Sequence, residues 1–429
     1  MKIKRATGVA ATILAVALLG GCTGGATPPA GQASGSGAAN TPVELKVWTL
    51  TETDSAEKAK NDLIKQFETA NPGVTITVTE RATDEHKDAL RQALGTPSFP
   101  DIYWYWEGPG LGGELVGQGA SLDLTKYYDQ YKWTDRFNAT VMANITQYGG
   151  YNGVPWTIQA QGMYYNKKLF AQAGITDVPT TYDQLIADND KLVAAGIVPF
   201  STGGSVNWYV MRLLDSILET KCGASLHDQL DTTKASWANQ DCVNQSFAEL
   251  KTWGDKYFNK GYMALDDTQA NQLFYTGKAA MALQGTWFNT DITDNKMDPS
   301  NVGIFVFPTG TDRLYGFGEG YYISKTTPNA DIAAKFLDFI TNDANQKTVA
   351  GVWGAISVNE NVQPSTDNPL NALWPPIFGA AKGMYLNNDQ NLSLDNTTEY
   401  WRIQNSVLTG DIAPADAGAQ MQKFIDSNQ

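Results

Sequence analysis

The fold class of this chain is decided by residues 43–106, which read VELKVWTLTETDSAEKAKNDLIKQFETANPGVTITVTERATDEHKDALRQALGTPSFPDIYWYW. Apolar residues alternate over 43–47 and over 74–78, which is typical of strands, and they recur at helical spacing over 56–67 between them. A second helical run at 89–94 precedes an apolar strand at 102–106. This β-α-β-α-β order predicts a parallel sheet flanked by helices, in which ligands bind beyond the carboxyl ends of the strands.

The first residues of the chain resemble the signal of a bacterial lipoprotein. Basic residues at positions 2–5 precede an apolar run over residues 9–19, which is too short to span a bilayer. The run ends in Gly20-Gly21-Cys22, where small residues before a lone cysteine resemble a lipobox. The resemblance implies that residues 1–21 are removed as a signal peptide and that Cys22 is lipidated; the alternative is an ordinary signal peptide with a chance cysteine.

The segment that follows predicts a tether. Residues 22–42 consist almost entirely of Gly, Ala, Ser, Thr and Pro, and contain too little apolar surface to fold. We therefore expect a lipid-anchored flexible linker and a folded body held on the outer face of the cell membrane, with the lipid on Cys22 as its only membrane contact.

Composition narrows the possible functions. The chain has 31 Lys and Arg against 45 Asp and Glu, a net charge of −14, which argues against a nucleic-acid partner. Only two His and three Cys are present, so we expect no metal centre and no cofactor. The 12 Trp, 19 Tyr and 16 Phe are a marked excess, and it favours a role for some aromatic side chains outside the core.

Export of the chain would also place the two other cysteines in an oxidising compartment. With Cys22 lipidated, Cys222 and Cys242 remain as an even pair in an oxidising compartment, and we predict a disulfide between them. Two free buried thiols are the alternative.

The motifs associated with catalysis lack their usual context. Gly108–Gly113 matches G-x-G-x-x-G, but no second strand ending in an acidic residue follows, so we interpret it as a glycine-rich turn. Neither His86 nor His227 has the neighbours of a zinc site or a catalytic triad. The acids of a glycosidase are neighbours in space and not in sequence, so an exported glycoside hydrolase is the alternative within the enzyme class.

Six segments resemble the extracellular solute-binding proteins of bacterial ABC sugar importers, the family that includes maltose-binding proteins. In chain order they are FETANPGV (67–74), FPDI (99–102), YNGVP (151–155), YYNKKLF (164–170), FYTGKAAMALQGTW (274–287) and GEGYYISK (318–325). Their order and spacing cover most of residues 43–360.

The resemblance implies a two-lobed α/β fold of the type II periplasmic-binding-protein kind, with a mainly parallel sheet flanked by helices in each lobe. One lobe would hold residues 43–150 and 316–346, and the other residues 151–315 and 347–429. The family implies a monomer that closes on an oligosaccharide or disaccharide in the cleft between the lobes and delivers it to the ABC permease, without breaking a bond.

The resemblance also implies where the sugar is bound. The expected contacts are, in order of position, Glu52, Trp106, Glu107, Gln159 and Trp287, with Trp208, Glu319, Trp353 and Trp401 as further candidates, while Trp104 is expected to pack in the core. These residue types suit the task, because indole rings cover the apolar face of a pyranose while carboxylates and amides bind its hydroxyls. The alternatives are another solute such as a polyamine, a peptide or a polyol phosphate, and an adhesive surface lipoprotein.

Overall fold

A computed structural model describes residues 42–354 and 356–428. The predicted signal peptide, Cys22 and the linker up to residue 41 lie outside these residues. Within the described ranges, no helix has the length and apolar character needed to cross a bilayer.

The described residues form strands and helices that we number in chain order. The strands are β1 (Val43–Leu50), β2 (Val74–Arg81), β3 (Ile102–Trp106), β4 (Val154–Asn166), β5 (Val198–Phe200), β6 (Ala279–Gly285), β7 (Val302–Phe305), β8 (Leu314–Ile323) and β9 (Met384–Tyr385). The helices are α1 (Asp54–Ala70), α2 (Thr83–Ala93), α3 (Gly112–Gly117), α4 (Thr125–Tyr131), α5 (Ala139–Thr146), α6 (Lys167–Gln172), α7 (Tyr182–Ala194), α8 (Asn207–Asp231), α9 (Asp241–Lys256), α10 (Asp267–Tyr275), α11 (Phe288–Asp294), α12 (Ala330–Thr341), α13 (Asp343–Val352), α14 (Trp374–Ala380), α15 (Asn388–Asn391), α16 (Leu394–Thr409) and α17 (Ala417–Ser427).

The strands form one mixed sheet in the order β2-β1-β3-β8-β4-β6-β5, with β7 on β4 and β9 on β8. The predicted parallel succession is present, since β1 pairs in parallel with both β2 and β3. However, β8 runs antiparallel to β3 and to β4, and β4 runs antiparallel to β6. The α/β class is therefore confirmed, whereas the expectation of mainly parallel sheets is corrected to a mixed sheet.

Two long strands connect the halves of this sheet. The first half of β4 pairs with β8, and its second half pairs with β6 and β7. The last residues of β8 pair with β3, on the other side of the sheet. Strands β4 and β8 thus run from one half of the sheet into the other.

Each half of the sheet has its own core. Leu45, Phe67 and Ile102 belong to a first core, and Leu214, Trp253 and Met281 to a second. The first core also contains Val349 and Val358, which lie beyond the predicted lobe boundary at residue 346. The lobe boundaries stay a prediction, and this packing favours a second crossing after residue 358.

Helix α1 fixes the chain at the carboxyl end of β1. Its apolar residues face the first core, where Phe67 packs against Phe336 and Phe339 with ring centroids 5.1 and 5.5 Å apart. The helix ends at a turn where Gly73 has a φ of 92°, a conformation that favours glycine. The short loop between β1 and α1, which carries Glu52, is held between two packed elements.

A disulfide joins Cys222 of α8 to Cys242 of α9 in the structure. We expect mass spectrometry of the alkylated, unreduced protein to find both thiols blocked, and reduction to lower stability by about 3 kcal/mol, because the bond closes a loop in the unfolded chain. Labelling of both thiols without reductant would contradict the pairing.

The same helix α8 carries a buried network of charges. The His227 Nδ1 lies 2.8 Å from Glu219 Oε2, and the Arg313 Nη2 lies 2.7 Å from the same oxygen. Arg313 also binds the Asp228 carboxylate at 2.9 Å. Burial alone would lower the pKa of His227, but the Asp231 and Glu219 carboxylates outweigh it and raise this pKa to about 9. The network ties the start of β8 to α8.

Candidate ligand-binding cleft

The carboxyl end of β1 and the facing ends of β3, β4 and β8 surround a cleft of about 840 Å³. The residues that line it are Leu50, Thr51, Glu52, Thr53, Thr83, Trp104, Trp106, Trp156, Gln159, Trp208, Arg212, Asp267, Trp287, Asp291, Phe317, Glu319 and Trp353. Seven of the nine residues expected to bind the sugar therefore meet in one cavity.

Six indole rings form the walls of this cleft. Trp104 and Trp106 project from the same face of β3, with ring centroids 4.5 Å apart. Trp156 and Trp353 make a second pair at 5.5 Å. Trp287 lies 5.7 Å from Phe317 and Trp208 lines the cleft beside it, so flat apolar surfaces face the cavity from several directions.

Carboxyl groups also line the cleft, among them those of Glu52, Asp291 and Glu319. Burial raises the pKa of Glu52 to about 7, against the opposing effect of Lys60. Burial also raises the pKa of Glu319 to about 7 and that of Asp291 to about 8, the latter with a further contribution from Glu52. The Glu52 charge contributes to the raised pKa of both Glu319 and Asp291, so the three acids interact across the cleft.

Gln159 is the centre of a hydrogen-bond network at the floor of the cleft. Its amide nitrogen donates to Glu319 Oε2 at 3.1 Å and to the Trp353 carbonyl at 2.9 Å. Thr157 donates to the same Glu319 oxygen, and Thr286 donates to the Gln159 carbonyl oxygen. The network joins β4 to β8 and to the residue that follows β6, so it fixes the Glu319 carboxyl.

Arg212 is the guanidinium that lines the cleft. It is buried on α8 between aromatic rings, 4.6 Å from the Trp208 ring and 5.2 Å from the Trp287 ring. Its Nη1 donates to Gln284 at 3.1 Å. Both indoles therefore lie against this cation and line the cleft with it.

Two of the nine expected sugar contacts, Glu107 and Trp401, do not line this cleft. Glu107 lies on the opposite face of the sheet from Glu319, where a Cβ on Gly318 would clash with its carboxyl. Both of its carboxyl oxygens are buried without a partner, and burial followed by the Glu319 charge raises its pKa well above the usual value. Strand alternation explains why Glu107 lies outside the cleft, because consecutive residues at the end of β3 point to opposite faces of the sheet. The same alternation gives Trp104, which packs in the first core as expected, a place in the wall of the cleft as well.

Trp401 lines a neighbouring cavity of about 760 Å³ beside α2 and α16. Trp208 borders both cavities, and Lys87 lies near it with its Nζ 3.1 Å from Asp389 Oδ2. Trp401 is thus adjacent to the cleft and does not form its wall.

Ten of the residues that line the cleft were not predicted as contacts, among them Trp156, Arg212, Asp267 and Asp291. Trp156 directly follows the YNGVP segment, at a break in the β4–β8 register. The position of Trp156 next to this segment was the one feature of the sequence that could have indicated its place in the cleft. Arg212, Asp267 and Asp291 lie on helices whose facing side depends on packing between distant segments.

The raised pKa values predict how stability depends on pH. A carboxyl whose pKa is raised on folding stabilises the protein below its unfolded pKa, and this contribution is lost as the pH rises through the folded value. The melting temperature of the ligand-free protein should therefore fall between about pH 4 and about pH 8. We expect Asp291→Asn to flatten the upper part of this fall, whereas the exposed control Asp62→Asn should leave it unchanged. An identical pH profile for both variants would contradict the assignment.

The fold is that of the type II periplasmic binding proteins, with a cleft between the two halves of a mixed sheet. The model of the family described as "Bacterial extracellular solute-binding protein" matches residues 51–347, and the chain belongs to this family.

Two bacterial relatives align with most of this chain. A maltodextrin-binding protein of Bacillus subtilis is 25% identical over 78% of this chain and 78% of its own length. A maltooligosaccharide ABC transporter solute-binding lipoprotein of Streptococcus pneumoniae is 25% identical over 89% of this chain and 93% of its own length. Among solved structures, a chitin oligosaccharide binding protein superimposes with a TM-score of 0.82 at 24% identity, covering 90% of this chain and 98% of that one. At this identity the structural likeness shows the fold alone.

Proposed function

We propose that this protein is the substrate-binding subunit of an ABC sugar importer, and that it captures an oligosaccharide or disaccharide in the cleft. The observation that carries the proposal is the placement of six indole rings around several carboxyl groups and the Gln159 amide in one cavity. The two bacterial relatives, whose names specify maltodextrin and maltooligosaccharide binding, support the same class of ligand.

The chemistry of the cleft matches a pyranose. A sugar ring has apolar C–H faces and a rim of hydroxyls, so it requires flat apolar walls and acceptors at their edges. Trp106 and Trp287 offer such walls, while Glu319 and Gln159 offer acceptors and donors held in place by their own hydrogen bonds. A ligand without hydroxyls would leave these buried polar groups unpaired, which is costly.

Contacts between the two predicted lobes support closure around the ligand. The Ser55 Oγ at the start of α1 donates to Asp294 at 2.6 Å, and the buried Lys87 pairs with Asp389 at 3.1 Å. Both contacts join residues that the predicted boundaries place in different lobes. Opening of the cleft would break them, and a bound sugar would shift the population toward the closed form that the permease recognises.

Attachment through Cys22 completes the proposed arrangement. The lipoprotein relative supports it, and so does the apolar run that precedes the cysteine. In this arrangement the body would remain at the outer face of the membrane, close to the permease, and function as a monomer.

Isothermal titration against maltose, maltotriose and a panel of other disaccharides tests the function, with chromatography of the mixture for products. We expect a micromolar or lower dissociation constant for at least one sugar, no hydrolysis, and a contraction in small-angle scattering when that sugar is added. Measurable hydrolysis would favour the glycoside hydrolase alternative. Binding of a polyamine or a peptide, with no response to any sugar, would favour another solute.

A further inference from the structure

We propose that the glycine-rich turn at residues 108–111 and the chain segment at residues 389–392 form a latch, which holds the two halves of the molecule together around the ligand. Among the described residues, those that line the cleft include no member of this latch. Its strength would set how long a bound ligand stays. This role rests on the proposed function, since it concerns release of the sugar from the same cleft.

The two sides of the latch belong to different cores. Leu111 of the turn is buried in the first core, and Leu392 of the segment is buried in the second. The segment is fixed to its own side by α8, where the Asp215 carboxylate accepts from the backbone N–H of Asn388 at 3.0 Å. Contact between the turn and the segment therefore joins one half of the molecule to the other.

Backbone atoms make the central contact of the latch. The Gly110 N–H donates to the Gln390 carbonyl oxygen at 2.7 Å. A Cβ placed on Gly110 would overlap the Leu392 carbonyl oxygen, and one placed on Gly108 would lie 2.6 Å from the Gln390 carbonyl oxygen. Because both obstacles are backbone atoms, no change of side-chain rotamer would relieve these clashes. The first two glycines of the G-x-G-x-x-G sequence are thus the residues that allow the two backbones to meet.

A buried ion pair lies beside the backbone contact. The Nζ of Lys87, on α2, lies 3.1 Å from the Asp389 Oδ2, and the two side chains are only 7% and 5% exposed. Separation of the turn from the segment would return both charges to water, and their solvation would offset much of what the pairing gains. The closed latch with one partner uncharged would be strongly disfavoured, because the other charge would stay buried alone. Such a contact can close firmly and still open again.

The latch lies next to the cleft. Leu111, Asp389 and Gln390 line a small cavity, and the walls of this cavity also include Trp106 and Trp208. Both of these indole rings line the cleft as well. A sugar held against them would lie beside the latch, and opening of the latch would widen that end of the cleft.

Gly110→Ala tests the latch without changing a residue of the cleft. The added methyl group would push the turn and the segment apart, so the closed form should open sooner. Stopped-flow Trp fluorescence with the best sugar of the panel should show dissociation at least about tenfold faster, with association changed by less than about threefold. Gly117→Ala is the matched control, because a Cβ on Gly117 would meet no atom within 4 Å. It should leave both rates unchanged.

Asp389→Asn tests the same latch in the absence of any sugar. The substitution keeps the shape of the side chain and leaves the Lys87 ammonium buried without its carboxylate. Hydrogen exchange at the Gly110 amide, followed by NMR, should become at least about tenfold faster, because opening of the latch releases this N–H. Asp312→Asn is the control, since Asp312 pairs with Lys382 at the surface, and exchange at Gly110 should then stay the same.

The outcomes separate the latch from the proposed function. Sugar dissociation at an unchanged rate in both Gly110→Ala and Asp389→Asn would overturn the latch and leave the sugar-binding role in place. Slower association with unchanged dissociation would overturn it too. If no sugar of the panel binds, the proposed function fails, and exchange at Gly110 decides the latch: an unchanged rate in Asp389→Asn would overturn it. If Gly110→Ala does not fold, Asp389→Asn carries both measurements.

Discussion

Replacing Trp287 with alanine should weaken sugar binding by about 100-fold or more, as expected for a central aromatic contact. The side chain is only partly buried, packs against the first core, and lies 5.7 Å from Phe317 and 5.2 Å from the Arg212 guanidinium. Its loss removes a flat wall of the cleft and leaves the buried Arg212 without one of its rings. Isothermal titration with the best sugar of the panel measures the effect.

The matched control for this substitution is Trp48→Ala. Trp48 is also partly buried, but it packs on the outer part of the first core with Arg81 over its ring at 3.9 Å, away from the cleft. The Trp48→Ala variant should be less stable than the unmodified protein and should keep its affinity for the sugar. An unchanged dissociation constant for Trp287→Ala, together with a large drop in melting temperature, would show that Trp287 is a core residue.

Replacing Arg313 with methionine should destabilise the protein by about 3–5 kcal/mol, because it leaves a buried carboxylate without its strongest partner. Glu219 is fully buried and receives two hydrogen bonds from Arg313, at 2.7 and 2.8 Å. The side chain of Arg313 is itself only 13% exposed. Urea denaturation measures the loss as a lower transition midpoint.

Lys382→Met provides the comparison, since Lys382 pairs with Asp312 at the surface, where both side chains are more than half exposed. Removal of such a pair should change stability by no more than about 1 kcal/mol. Equal effects of the two substitutions would show that His227 alone neutralises Glu219, and that Arg313 contributes little.

The apolar pattern of residues 43–106 was sufficient to predict three parallel strands and two helices, because buried positions alternate along β1 whereas β3 is apolar and buried along its whole length. The orientation of β8 could not be predicted in this way. Its pairing partners, β3 and β4, are distant in sequence, and the antiparallel direction follows from where the chain returns to the sheet.

The cleft was predicted where motifs lie at strand ends, and less well where helices contribute. Glu52, Gln159 and Glu319 were identified from segments near β1, β4 and β8, and they meet as expected. Asp291 and Arg212 lie on helices without a distinctive motif, and only the packing of α8 and α11 brings them to the cavity. Glu107 was expected in the cleft because it lies at the end of a strand, but its side chain lies on the other face of the sheet. Position at a strand end does not determine which face a side chain takes.

The two long strands β4 and β8 pair across the middle of the sheet, with one break in their register at Trp156. In the proposed closure these strands would act as a torsion spring, because movement of the halves would twist paired strands together instead of swinging a loose loop. Gln159 and Thr157 lie on one of these strands and hold Glu319 in the neighbouring strand. A sugar bound as proposed to these side chains would therefore act directly on the twist, so that detection of the solute and movement of the molecule would occur at the same point.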